Sequence, residues 1–481
     1  MIKKILLSFP IALLGFNSFS QSREIILSSG TSATLQNAVS QLNGSGKVTV
    51  NGELVIDLNV TVPSAIMLKI NKEGMFTIQN ANTLKIEGVL EAGLYKIFNK
   101  RIDLSQASVS EIHSEWFGSD ATAVNYALLS ADKIPVRITK NLVVTSTIFI
   151  DSNQTLLIND STTISPTNEM LGTSVITNKN NSDTNITIIG GIIDGTSADS
   201  KAYEAVLFNA VSNSSIQNLS CINVHITAST DTGNIRLNNC NYVLLENCNV
   251  TGTWKMGIFI LNGSCNNVLG GKFYGTHDSA IGVVNSFGTT IDGLYVDNCG
   301  TSDGSNMSLN SEGMLVINNT SINASGKRNG NGITLGHDGS PASYSVCVDN
   351  MIKNNWAKGI FIQGKNTKNI FVSGNTIIDN GKNSEGTNSG GIAVYSHSNG
   401  HLISENIIIG NRLGISLHKT SANIAIINNQ ISSSTLYGIR NDGENMKIEG
   451  NYLSNERNIQ NGTNHKNLSF INNNIIVQPE D

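Results

Sequence analysis

Two groups of side chains in this 481-residue sequence are of the types that transfer protons on a sugar. The first contains Lys255, His277, Asp278, Asp303, Lys327, Arg328, His337 and Asp338; the second contains Tyr395, His397, His418, Arg440 and Asp442. Each suits a different reaction. Hydrolysis of a glycosidic bond needs two carboxyl groups, about 5–5.5 Å apart for retention or about 6.5–9.5 Å for inversion. Asp278 and Asp303 are the pair that could meet this. β-Elimination or C5 epimerisation of a uronic acid needs a cation for the carboxylate, a base for the α-proton and an acid for the leaving oxygen. Tyr, His and Arg of the second group fit those roles. Each residue also has a plainer use: an Asp entering a turn caps it, and a surface His is commonly just solvated.

The elements that must position these groups are announced by a repeat. Between Gly257 and Gly443 a short line of Gly or Ala, Ile, any residue and an aliphatic returns as Gly257-Ile-Phe-Ile, Ala280-Ile-Gly-Val, Gly332-Ile-Thr-Leu, Gly359-Ile-Phe-Ile, Gly391-Ile-Ala-Val, Gly414-Ile-Ser-Leu and Gly438-Ile-Arg-Asn. Between these lines lie short alternating runs ending in Asn, among them Ile403-Ser-Glu-Asn and Met446-Lys-Ile-Glu-Gly-Asn. Alternation over four to six residues, punctuated by Gly and Asn, reads as short strands joined by turns, with no helical period. A unit of this size cannot bury its apolar face alone, so each must stack on the next. The expectation is an all-β, parallel β-helix from about Leu142 onward, with Ile258, Ile260, Ile281, Ile333, Leu335, Ile360, Ile392, Ile415 and Leu417 in the core. The Asn residues are expected at equivalent left-handed turns, bonded as a ladder. Phe259, Thr334, Phe361, Ala393, Ser416 and Arg440 are expected outside, as a largely plain sheet surface. Five coil steps of about 4.8 Å separate Asp278 from His418, so both groups cannot work one bond.

Composition narrows the classes. The chain has 31 Lys and Arg against 36 Asp and Glu, a formal net charge of −5, which gives no electrostatic footprint for nucleic acid or an anionic membrane. The opening Met1-Ile-Lys-Lys, an apolar run from Ile5 to Phe16 and Ser18-Phe-Ser-Gln read as a signal peptide over 1–20, too short for a membrane span. The protein is therefore expected to be secreted. Six Cys in an exported chain invite disulfides. Cys221 and Cys248 instead read as like positions in successive coils, a buried stack of small side chains. No CxxC or HExxH pattern supports zinc.

In chain order, Thr34 to Leu42 has Leu35, Ala38, Val39 and Leu42 on one helical face, and Val48 to Leu90 holds several β-patterned runs. Residues 23–115 are thus an N-terminal β-rich segment. A second helical pattern covers about 121–130. Trp116-Phe-Gly-Ser-Asp, that helix with Ala123 and Ala127, a strand pair and Gly190-Gly-Ile-Ile-Asp-Gly together resemble the start of the pectate-lyase superfamily of right-handed parallel β-helix proteins. The longer Gly- and Asp-rich loop that follows Trp-Phe-Gly in many relatives is missing. The resemblance runs from Trp116 to the end of the chain, so 116–481 is expected to be a right-handed β-helix with a helical cap. It implies a fold rather than a reaction, because such coils carry hydrolases, lyases, epimerases, phage tailspikes and adhesins. Gly275-Thr-His-Asp-Ser-Ala-Ile-Gly-Val faintly resembles the Asp-Asp strand entry of polygalacturonases. His277 stands where the first acid would be, and that family's other motifs have no match.

The function expected is a secreted enzyme that processes a polysaccharide, an acidic one because Lys255, Lys327, Arg328, Lys358, Arg412 and Arg440 recur beside one face of an acidic molecule. Lyase and hydrolase both stay open, as does the alternative of a non-catalytic glycan-binding or adhesion β-helix. A lyase would call for Ca²⁺ held by carboxylates. Long insertions at 299–306, 323–331 and 340–344 are expected to wall a cleft over the first group, with 381–390 beside the second. His277, Asp278, Asp303, Arg328 and His337 are accordingly assigned the chemistry. Lys255, Trp356, Tyr395, His397, His418, Arg440 and Asp442 are assigned substrate contacts.

Overall fold

The computed structural model describes residues 23–197, 202–224, 232–302, 304–327, 329–382, 389–462 and 467–477. The chain divides into two compact units, 1–109 and 110–481. The proposed signal segment, Asp303 and Arg328 lie outside the described residues.

In the first unit short strands pair in parallel in three sheets, so this β-rich segment is itself coiled. Glu24–Leu27, Gly46–Val50, Ile66–Ile70 and Leu90–Ala92 form the largest sheet. Helix α1 (Ser32–Gln41) buries Leu35 and Ala38 while Val39 is only half-buried. Ser32 anchors it: its hydroxyl donates to the Leu58 carbonyl at 3.0 Å and accepts from the Leu58 amide at 2.9 Å.

The second unit is a parallel β-solenoid whose coils each supply a strand to three long sheets of 15, 14 and 13 strands. One coil illustrates the path: Leu244–Glu246 in the first sheet, Asn249–Thr253 in the second and Met256–Leu261 in the third. The third-sheet register runs Ile258, Ile281, Met307, Ile333, Ile360, Ile392, Ile415 and Ile439, each beside the last. The nine core residues expected from the repeat are buried. Met307–Glu312 is a coil that the repeat reading passed over, because Met replaces the signature Ile there. Helix α2 (Ala121–Ala131) packs on the opening strands Ile112–His113, Val136–Ile138, Leu142–Val144 and Ile148–Ile150. Asp120 caps it through a 2.8 Å bond from the Ala123 amide, and Trp116 and Phe117 are buried nearby in the chain.

The turn between the first and second sheets is closed by buried amides. Asn319, Asn350, Asn375, Asn406, Asn429, Asn451 and Asn473 form a ladder with Nδ2 to Oδ1 distances of 2.9–3.0 Å. Each Oδ1 also accepts the backbone N–H of the preceding rung, as Asn406 does from Asn375 at 3.0 Å. A shorter ladder of Asn355, Asn380 and Asn411 serves the next corner. The ladder Asn residues do not take the left-handed conformation. That falls on the residue before each: Asp349, Gly374, Glu405, Asn428 and Gly450 have φ between 54° and 67°. Asn is selected at the rung for its paired donor and acceptor, which satisfy backbone groups that have left water.

The cysteines are free; Cys221 and Cys248 are buried, and burial pushes the Cys248 thiol up to about 12. They do not occupy like positions. Cys221 lies beside Val250, and Cys248 is two residues earlier in its coil.

The ladder carries a stability prediction. Asn406→Ala removes the acceptor of the Asn375 amide and the donor to the Val372 carbonyl, leaving buried polar groups unmatched. The expected loss is about 3–5 kcal/mol by chemical denaturation, at 1–3 kcal/mol for each orphaned group. Asn423→Gly, on an exposed rung at φ 55° that Gly adopts freely, should cost less than about 1 kcal/mol.

Candidate functional site

Side chains that alternate with the buried Ile of the third sheet form two outward columns. One runs Arg236, Phe259, Gly282, Ser308, Thr334, Phe361, Ala393, Ser416 and Arg440. This column is not a plain solvated surface: Phe259, Thr334, Phe361, Ala393 and Ser416 are buried. Their neighbours cover them. The Arg236 guanidinium lies 5.8 Å from the Phe259 ring centre, the Lys358 ammonium lies 4.3 Å from that of Phe361, and Thr334 bonds Ser305 at 2.7 Å.

The second group of sequence candidates comes together on this face. Tyr395 and His418 follow the third-sheet strands Gly390–Val394 and Leu413–Leu417, one coil apart, and their rings stack at 4.3 Å with 26° between planes. Phe361 meets Tyr395 edge to face at 5.9 Å. One coil beyond His418, Arg440 donates from Nε to Asp442 Oδ2 at 3.0 Å. His418 Nδ1 pairs with Thr420 Oγ1 at 2.8 Å, which holds the ring and leaves Nε2 as the nitrogen for a substrate. Thr420 also accepts the His397 amide at 3.1 Å, while the His397 side chain is exposed.

Electrostatics favour reactive protonation states here. Burial, then the Lys419 charge, lowers the His418 pKa against an opposing pull from Asp442, so its imidazole is neutral at neutral pH. Burial pushes Lys358 down to about 8, leaving its ammonium weakly solvated and open to an anion.

The first group does not assemble as one cluster. His277 and Asp278 enter the strand Ile281–Phe287, whereas His337 follows the strand Ile333–Leu335 at its far end. In register His337 lies beside Ser311 and Asn285, seven residues along the strand from Asp278, or roughly 23 Å. The 340–344 insertion belongs to that far corner too, since Ser340 Oγ donates to Asn285 Oδ1 at 2.9 Å. Lys255 and Asp278 are neighbours in register, joined by a 3.3 Å backbone bond. Trp356 sits at the same kind of corner, partly exposed. Among the described residues, no three His, Cys, Asp or Glu side chains gather as a metal site.

Two contributors escaped the sequence reading. Thr420 belongs to no repeat signature. Trp254 stacks on His277 at 4.1 Å and 13°, and its 23-residue offset, equal to the coil length there, was the available signal.

A family model described as the right-handed beta helix region matches residues 233–406. No curated protein matches the sequence. Among solved structures, the chain is similar to the family 28 exopolygalacturonase of Yersinia enterocolitica, at 11% identity over 78% of this chain and 80% of that one, with a TM-score of 0.45. It is similar to PfbA, a surface adhesin of Streptococcus pneumoniae, at 13% identity over 75% and 93%, with a TM-score of 0.41. A third is the periplasmic alginate epimerase AlgG, at 14% identity over 71% and 77%, with a TM-score of 0.42. Among the described residues no helix is long and apolar enough to cross a membrane.

The opposing charges around His418 are separable by titration. Asp442→Asn should lower the His418 pKa further and Lys419→Met should raise it, each followed by the imidazole C2 proton in NMR. Equal shifts in one direction would mean that neither charge reaches the ring.

Proposed function

We propose that the protein is an exported enzyme that acts on an acidic polysaccharide by removing the C5 proton of a uronate. The observation that carries this reading is the set of Tyr395, His418 and the Arg440–Asp442 pair on three successive coils, with Lys358 two coils before His418. The polymer would lie along the coil axis. Lys358, about 10 Å from the His418 level by two coil steps, would hold the carboxylate of a neighbouring sugar. Arg440, oriented by Asp442, would face the carboxylate of the reacting one and stabilise the charge that develops there as C5 loses its proton.

His418 Nε2 would take that proton in the neutral tautomer whose Nδ1–H donates to Thr420 Oγ1. In elimination the C5–H and C4–O bonds break, a C4–C5 double bond forms, and the Tyr395 hydroxyl protonates the departing oxygen. In epimerisation His418 keeps the abstracted proton for release to solvent, a solvent-derived proton adds to C5 on the opposite face, and the C4–O bond survives. Two facing carboxylates are not found among the described residues of this face, which favours proton abstraction over hydrolysis. A Ca²⁺ requirement has no gathered donor set behind it here.

The test is turnover on polygalacturonate and alginate, followed by ultraviolet absorbance of unsaturated product and by new reducing ends. His418→Ala and Tyr395→Phe should each lower kcat by about 10²–10⁴ with the fold retained. Lys358→Met should chiefly raise KM. kcat should climb with pH as His418 loses its proton, below the ordinary imidazole range, and KM should worsen above about 8, where Lys358 loses its charge. Retention of the glycan without turnover would assign an adhesive role. Loss of turnover in Asp278→Asn but not His418→Ala would move the chemistry to the first group.

A further inference from the structure

Five coil steps toward the N-terminus from His418, about 24 Å along the coil axis and at the opposite end of the third-sheet strands, the corner between the second and third sheets holds a cleft of about 410 Å³. Its floor follows the coil axis. Gly195, Asn223, Gly252 and Gly275 fall in register at the end of successive second-sheet strands, so one position on four consecutive coils carries three glycines and one amide. Three steps make a trough roughly 14 Å long with almost no side chain in it. Trp254, 42% exposed, stands at its side, its indole stacked on His277 and held against rotation. Thr253 lines the same space, its Oγ1 buried beneath the surface without a hydrogen-bond partner among the described residues.

We infer that this trough binds a neutral oligosaccharide, two or three pyranose rings running along the coil axis with one ring packed on Trp254. The C–H face of a pyranose is apolar and matches an indole, while its rim hydroxyls need donors and acceptors. Asn223, Thr196 and the bare backbone of the glycine column offer those. Among the described residues no Asp, Glu, Lys or Arg lines the trough, which separates it from the cationic face around Lys358 and Arg440 and suits it to an uncharged chain.

Gly275 makes the test clean. It has φ 66°, and an added Cβ would meet nothing within 4 Å. Asn adopts that conformation readily, so Gly275→Asn fills the trough without disturbing the coil. Calorimetric titration of the full chain with cellohexaose, laminarihexaose, maltohexaose and xylohexaose should show binding of at least one. Trp254→Ala and Gly275→Asn should each weaken it about tenfold or more at unchanged Tm, a loss of roughly 1.4 kcal/mol. Lys358→Met and His418→Ala should leave it unaltered, so this site and the proposed uronate chemistry fail independently. Absence of binding by all four sugars, persistence of binding in both trough variants, or its loss in His418→Ala would overturn the inference.

Discussion

Every coil of the solenoid has to turn at the same angle as its neighbours, and from Asn319 onward the asparagine ladder enforces this. Each rung accepts a backbone amide from one coil and donates its own amide to the next rung, so a coil that drifted out of register would leave buried polar groups unmatched on both sides. The left-handed residue before each rung then supplies the bend. With register fixed, side chains 20 to 30 residues apart in sequence fall into columns at a spacing of about 4.8 Å. Tyr395 and His418 can stack only because of that alignment. Trp254 and His277 lie on coils before the first rung and are aligned by strand register alone.

The repeat made the coil architecture readable because its inward positions are selected by burial, and Ile or Leu at those positions has no substitute that packs as well. The Met307 coil was missed since a Met fills the same space without matching the pattern. The Asn ladder was expected from the recurrence of Asn, but the left-handed bend falls on the residue before each buried rung, a division of labour that the repeat does not display. The outward columns were harder still. Phe259 and Phe361 are buried on an outer face because Arg236 and Lys358 lie across them, an effect of neighbouring columns and not of alternation along one strand.

Placement of the chemical groups was legible where the residues share a column and opaque where they do not. Tyr395, His418 and Asp442 share one, so counting coils assembles them. His277 and His337 are close in coil number but at opposite ends of their strands, and proximity in coil count concealed roughly 23 Å along the strand direction. The two sites differ in electrostatic character for the same reason. A cationic and partly desolvated face around Lys358, His418 and Arg440 lies on the third sheet, while no Asp, Glu, Lys or Arg lines the glycine trough among the described residues.

Proton abstraction at C5 has a signature that separates it from hydrolysis and from binding alone. Polyuronates incubated with the protein in D₂O and followed by ¹H NMR should lose the C5 proton signal, through deuterium incorporation if the linkage survives or through an unsaturated terminus if it breaks. His418→Ala should abolish both. Reducing ends that appear while every C5 proton is retained, or exchange that persists in His418→Ala, would contradict the assignment of His418 as the base.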